Sequence, residues 1–395
     1  MKTIRDDDAH LGLKRSSYKF FFNQAEMDFQ CRWLMGSQTF QGSEMGECLY
    51  AISQIEDGNP TTWGRAWINL AKHVEVRAEA ALEKKHVVSA REAYLRTHRY
   101  YRAALFIMSA KDPLFLQTAA KQRACFQKAA ALFYPPIEPI DVPFEGKTLQ
   151  GYFWPVDSDK KKRKTIIMIG GGETFVEDCF FWTGPAAVKR GWNVIMADLP
   201  GQGLTPEDGF YVRPDMEVPM MAVVDYTLTR PEVDATRLAA AGISWGGYIV
   251  GRTAIYDKRL KACVANSPLW DMERAFACRP VVPDDATALA IVGQLAWRRG
   301  GFHPRMAKTL EERKKLYRPY KWDPSQVTCP VLCVSCTGEQ SEIGDECREA
   351  YAMLPNPRKA HVHFTNEDGA ESHCQGENLS LVNQVMYDWL DELLQ

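Results

Sequence analysis

The chain has 395 residues, 46% of them hydrophobic and 25% charged, which is ordinary for a globular protein and excludes a disordered, collagen-like or mostly coiled-coil chain. With 48 Lys and Arg against 50 Asp and Glu the net charge is −2, so no field of one sign favours nucleic acid or an anionic membrane. No apolar run reaches the roughly 18 residues of a bilayer span, and MKTIRDDDAH lacks a signal-peptide core.

Residues 1–138 are expected to form a helical N-terminal domain. Trp63, Trp67, Leu70, Ala71, Val74, Ala78, Ala81 and Leu82 recur at the spacing of one helix face. A second helix is predicted from Ser89, with Glu92 completing a capping box. A third is predicted after Pro113, a residue suited to a first helical position, and it stops near Phe133 before Pro135 and Pro136.

The texture changes over residues 139–395. Alternating apolar residues on either side of Glu145-Gly146-Lys147 predict a hairpin. DKKKRK (159–164) reads as a solvated turn. Strands are then predicted at 165–169, 193–198, 238–243, 260–267, 331–335 and 361–364. Helices are predicted between them at 183–190, 216–229 and 246–256, and a closing helix at 379–394. Such alternation predicts an α/β fold whose mostly parallel sheet is covered on both faces. Residues 269–325 interrupt it and read as an inserted cap, with helical pieces at 286–298 and 308–317.

The chemistry-bearing feature is Gly242-Ile243-Ser244-Trp245-Gly246, a G-x-S-x-G run between a predicted strand and a predicted helix. Glycines at the flanking positions permit a strained turn that lifts the Ser244 hydroxyl above the sheet. Serine is a weak nucleophile without a base. His373, in the loop between the last strand and the last helix, is the expected base; His303 in the cap is second, and His361 and His363 read as strand residues. The third member should be a carboxylate following the 331–335 strand. There Gly338-Glu339-Gln340-Ser341-Glu342 places Ser341 in the usual aspartate slot, so Glu342 is favoured slightly over Glu339, ahead of Asp345 and Asp368.

An oxyanion hole needs two backbone amides aimed at the developing charge. One is expected from Trp245, the other from Gly172 or Glu173 in the glycine-rich run GGGET (170–174) after the first parallel strand. That run lacks the Lys-Ser/Thr of a P-loop and the spacing of a dinucleotide fingerprint. Thr174, Phe175, Trp182 and Trp270 are candidate substrate contacts, within a wider aromatic set of Phe180, Phe181, Tyr211 and Trp297. Arg99, Tyr100 and Tyr101 are weaker candidates from the helical half. The 11 cysteines, odd in number and scattered, suit free thiols and a cytoplasmic location. Cys329, Cys333 and Cys336 read as strand residues rather than metal ligands, and no cofactor motif is present.

With the elbow, GGGET, Asp198-Leu199-Pro200-Gly201-Gln202-Gly203 and the His373-Cys374 pair in place, residues 140–395 resemble the α/β-hydrolase superfamily. The helical region before them makes the chain similar to the FrsA-like branch. That branch includes 2,6-dihydroxypseudooxynicotine hydrolase and polyketide-shortening hydrolases of fungal pigment and bacterial anthraquinone synthesis. The resemblance implies hydrolysis of a carbon–carbon bond beside a carbonyl, with Ser244 matching the nucleophile, His373 the base and Gly171 to Thr174 the oxyanion loop. It implies a small ketone or acyl substrate, including a carrier-protein-bound polyketide, and a homodimer. An esterase or peptidase uses the same residues, and a non-catalytic binding protein is the reading a missing acid would favour.

Overall fold

The structure is a computed structural model, and it describes residues 2–3, 14–276, 299–301 and 309–395. The helical piece expected at 286–298, Trp297 and His303 lie outside the described residues.

Among the described residues, five α-helices precede the main sheet: α1 (Ala25–Gly36), α2 (Met45–Ile52), α3 (Pro60–Glu83), α4 (Val87–Leu105) and α5 (Phe115–Ala130). The α3 stripe is buried as its spacing predicts, and Asn59 caps it by accepting from the amides of Thr61 and Thr62. Two helix starts differ from expectation. Helix α4 begins at Val87, with His86 at its cap position after the left-handed Lys85, so Ser89 sits in its first turn and caps nothing. Helix α5 begins at Phe115 with Leu114 as its cap, which leaves Pro113 outside.

The sheet has eight strands: β1 (Glu138–Phe144), β2 (Lys147–Trp154), β3 (Arg163–Ile169), β4 (Asn193–Ala197), β5 (Val233–Ile243), β6 (Ala262–Asn266), β7 (Val331–Cys336) and β8 (Ala360–Phe364). Their spatial order is β8-β7-β6-β5-β3-β4-β2-β1; β2 runs antiparallel to both neighbours and the remaining pairs are parallel. The β1–β2 hairpin closes with Phe144 opposite Lys147, around the turn that the sequence marks.

Side chains alternate across the sheet as the period of two requires. In β3, Ile166 and Met168 join a core containing Trp63, Trp67 and Phe126 of the N-terminal helices, while Ile167 and Ile169 join the opposite core. The first face also carries α6 (Val176–Lys189) and α12 (Leu379–Leu393). The second carries α7 (Glu217–Thr229), α8 (Trp245–Tyr256) and α11 (Ser341–Met353). Two short helices, α9 (Met272–Phe276) and α10 (Leu310–Tyr317), fall within the region expected as a cap.

Helix α6 starts seven residues before the expected boundary at 183. The sequence pattern is broken by Gly184 and Pro185, yet the helix runs through both. Its start is held by Asp178, which accepts from the Phe175 amide and pairs with Arg99 and Arg102 of α4. Among the described residues, no helix is long and apolar enough to cross a membrane.

Candidate active site

Strands β3, β5, β6, β7 and β8 are mutually parallel, so the loops after their carboxyl ends gather along one edge, where ligands of open α/β sheets bind. Ser244 follows β5 directly and has φ 54° and ψ −119°, a left-handed conformation that costs a non-glycine residue about 1–3 kcal/mol. The chain tolerates it because the turn is built from glycines. A Cβ on Gly242 would lie 2.0 Å from the Gly246 carbonyl oxygen, and one on Gly246 would lie 2.5 Å from that of Ile169. The Ser244 amide donates to the Asn266 carbonyl, which ties the elbow to the end of β6.

His373 opens a short turn after β8 and is buried. Its Nδ1 lies 2.6 Å from Oε1 of Glu339, in the loop after β7. The same carboxylate accepts from the Ser267 hydroxyl and from the Cys336 amide at 3.3 Å. Burial opposes a charge on the ring, but the Cys374 sulfur and Glu339 outweigh it, and the imidazole is pushed up to about 10.

Of the acid candidates, the fold brings Glu339 and not Glu342 to the His373 ring. Glu342, favoured from sequence, lies in the first turn of α11, exposed, and accepts from the Ser341 hydroxyl instead of the histidine. Asp345 pairs with Arg348 on the same helix, and Asp368 caps its own turn by accepting from Thr365. His361 and His363 both contact the Ser335 hydroxyl within the sheet. The signal for α11 is present in the sequence: Ile343, Cys347, Ala350 and Leu354 have helical spacing. That stripe turns Glu342 outward and leaves Glu339 in the preceding loop.

A cavity is lined by Ser244, His373, Gly171, Gly172, Glu173 and Thr174. The approach of the glycine loop to the nucleophile is close: a Cβ on Gly171 would lie 3.0 Å from that of Ser244. Thr174 folds the loop back by donating its hydroxyl to the Gly171 carbonyl at 2.9 Å. Trp245 follows Ser244 as the first residue of α8.

The opposite wall comes from the N-terminal helices, through Phe29, Gln30 and Trp33 of α1 and through Arg102 and Phe106. Sequence reasoning missed these residues, and Arg15 with them. They belong to no motif and reach the site only through the tertiary fold. Glu173 accepts from Arg15 Nη1 at 2.9 Å and from the Gln30 amide at 3.3 Å, and its backbone carbonyl accepts from Arg102 at 2.6 Å. Burial penalises the Arg15 charge, but Glu173 and Glu26 overcompensate and raise its guanidinium further.

Three expected substrate contacts stand away from the cavity lining. Trp182 is buried, donating its indole N–H to the Cys374 carbonyl at 2.9 Å, so it supports the histidine loop from behind. Phe175 lines a smaller neighbouring cavity with Arg102, Phe115 and Arg299. The Trp270 amide donates to Glu346 at 2.9 Å, at the entry to the inserted segment. Phe180 and Phe181 pack between α6 and the helical half, and Tyr211 is half exposed against Gly301. Tyr100 and Tyr101 donate to Glu47 and Glu75, and Arg99 is taken up by Asp178.

The strand order, the antiparallel β2 and the strained serine turn after β5 define an α/β-hydrolase. A family model described as FrsA-like esterase matches residues 54–291, and the chain belongs to that family. It is 34% identical to hydrolase ORFZ of Pyricularia oryzae, with 94% of this chain and 97% of that protein covered. It is 29% identical to hydrolyase ccsE of Aspergillus clavatus, with 95% and 98% covered. Among solved structures, 2,6-dihydroxy-pseudo-oxynicotine hydrolase matches 91% of this chain and 95% of its own, with a TM-score of 0.73 and 23% identity. AbyA5 matches 94% and 95%, with a TM-score of 0.66 and 17% identity. The chain is a hydrolase.

Proposed function

We propose that the enzyme hydrolyses a carbon–carbon bond of a β-dicarbonyl or polyketide-type substrate through Ser244, His373 and Glu339. The observation that carries the reading is the Glu339–His373 contact behind a cavity shared by His373 and the strained Ser244. With Nδ1 bound to the carboxylate, the other ring nitrogen, Nε2, is the one to take the serine proton. Oγ attacks the ketone carbon as His373 accepts that proton. The oxyanion is stabilised by the Trp245 amide and by that of Gly172 or Glu173. Collapse breaks the bond to the α-carbon, whose electron pair leaves as an enolate, and His373 protonates it. Water, deprotonated by His373, then cleaves the acyl-serine. The sum is diketone plus water giving ketone plus carboxylic acid, with no cofactor required.

The enclosure between the serine edge and Phe29, Trp33 and Phe106 suits a flat, unsaturated substrate. The name of the 2,6-dihydroxy-pseudo-oxynicotine hydrolase neighbour points to an aryl ketone as one such class. The family description favours a second reading, an esterase acting on small acyl compounds. Products from a panel of aryl diketones and poly-β-ketones, analysed by mass spectrometry beside turnover of p-nitrophenyl esters, separate the two. Ser244→Ala should form no product in either assay. Equal product from both proteins would remove the covalent mechanism, and ester turnover alone would establish the second reading.

A further inference from the structure

We propose that Arg15 is a positioning residue that couples the oxyanion loop to the base loop, so that the N-terminal segment holds both in register with Ser244. This rests on the serine mechanism above.

A glycine-rich run has little conformational preference of its own and must be fixed from outside. In Gly170–Thr174 that task falls to Glu173. Its carboxylate is gripped by both terminal nitrogens of Arg15, and its own backbone carbonyl is held by Arg102. The two-nitrogen grip fixes direction as well as distance, which a single ammonium cannot do. On its other side, the Arg15 carbonyl accepts from the His373 amide at 2.8 Å. The next two residues extend the clasp. Ser16 Oγ donates to Glu371 Oε1 at 2.9 Å, and the Ser17 amide donates to Oε2 at 2.8 Å. Arg32 of α1 pairs with the same carboxylate at 3.0 Å. One residue therefore touches the loop carrying the expected oxyanion amide with its side chain and the loop carrying the base with its backbone. Arg15 is only 8% exposed, and Glu26 lies 3.5 Å from it as a second counter-charge.

The arrangement predicts a loss in rate rather than in binding. Misplacing a catalytic group by an ångström costs on the order of 10²-fold. The test is the rate at which a fluorophosphonate labels Ser244, where the Oγ–P bond forms, fluoride leaves and the proton passes to His373. It is run on the full chain for wild type, Arg15→Ala, Arg15→Lys and Glu173→Gln, with thermal melts alongside. Arg15→Ala and Glu173→Gln should label about 10- to 100-fold more slowly. Arg15→Lys should recover part of the rate. In turnover assays kcat should fall while KM moves less than about threefold. If Arg15→Ala fails to fold, the Lys and Gln variants, which keep bulk and a polar contact, carry the same comparison. Wild-type labelling rates in folded variants would overturn the coupling role alone. Failure of wild type itself to label would overturn the serine mechanism and this inference with it.

Discussion

Glu339 receives the His373 ring, the Ser267 hydroxyl and the Cys336 amide, so its orientation is fixed before substrate arrives. Glu339→Gln should lower kcat by about 10³- to 10⁴-fold, because the amide no longer holds the ring in its required tautomer. Glu342→Gln should leave kcat unchanged. The pH dependence carries a sign. In the proposed mechanism serine attack needs the neutral ring, and the His373 imidazole is pushed up to about 10, so the rate should climb with pH through that value. Glu339→Gln removes part of what favours the cation and should shift this limb to lower pH. For stability, a folded-state value above the free 6.5 gives a contribution that is full below 6.5 and lost as pH rises through about 10. Urea titrations across that range check it. Ser244 and His373 were legible in the sequence because each sits in a local pattern tied to a strand end. The carboxylate that meets His373 was not, because it depends on where the following helix begins.

Helix α6 shows what an element needs beyond propensity. Gly184 and Pro185 disfavour it, but burial of Phe180, Phe181 and Trp182 and the Asp178 pairs hold it. Both partners of Asp178 are fully buried arginines, Arg99 at 2.5 Å and Arg102 at 2.8 Å. Asp178→Asn leaves two buried cations short of charge and should destabilise the protein by about 3–5 kcal/mol, read from the denaturant midpoint. The same helix reaches the site through the indole of Trp182, which donates to the Cys374 carbonyl beside His373. The aromatic content of this stretch was plain in the sequence. Its direction was not, since this helix is buried on nearly every side, charged residues included, and no stripe says which face meets substrate.

At the scale of the molecule, strand–helix alternation revealed a parallel sheet, but not the spatial order that places β3 beside β5. The helical region was legible from its 3.6-residue stripe. Its role at the site was not, because Arg15, Gln30 and Arg102 act across separations of 158, 143 and 71 residues. One continuous apolar core joins Trp63 and Trp67 of the helices to Ile166 and Met168 of the sheet. The two halves should therefore unfold together: far-ultraviolet dichroism and tryptophan fluorescence should trace a single coincident transition in urea. A polypeptide starting at residue 138 should aggregate, because one sheet face would lose its cover.

The division of labour around the cavity has a consequence for how this enzyme diversifies. Ser244, Glu339 and His373 follow strand ends, while Phe29, Gln30, Trp33 and Phe106 arrive from chain that precedes the sheet. Selection can reshape Phe29, Trp33 and Phe106 so long as Arg15 and Arg102, which brace the glycine loop, stay in place. Descendants of one scaffold would then differ in diet chiefly through these few wall positions, and exchanging them between kin, with the bracing arginines retained, is the direct way to swap appetites.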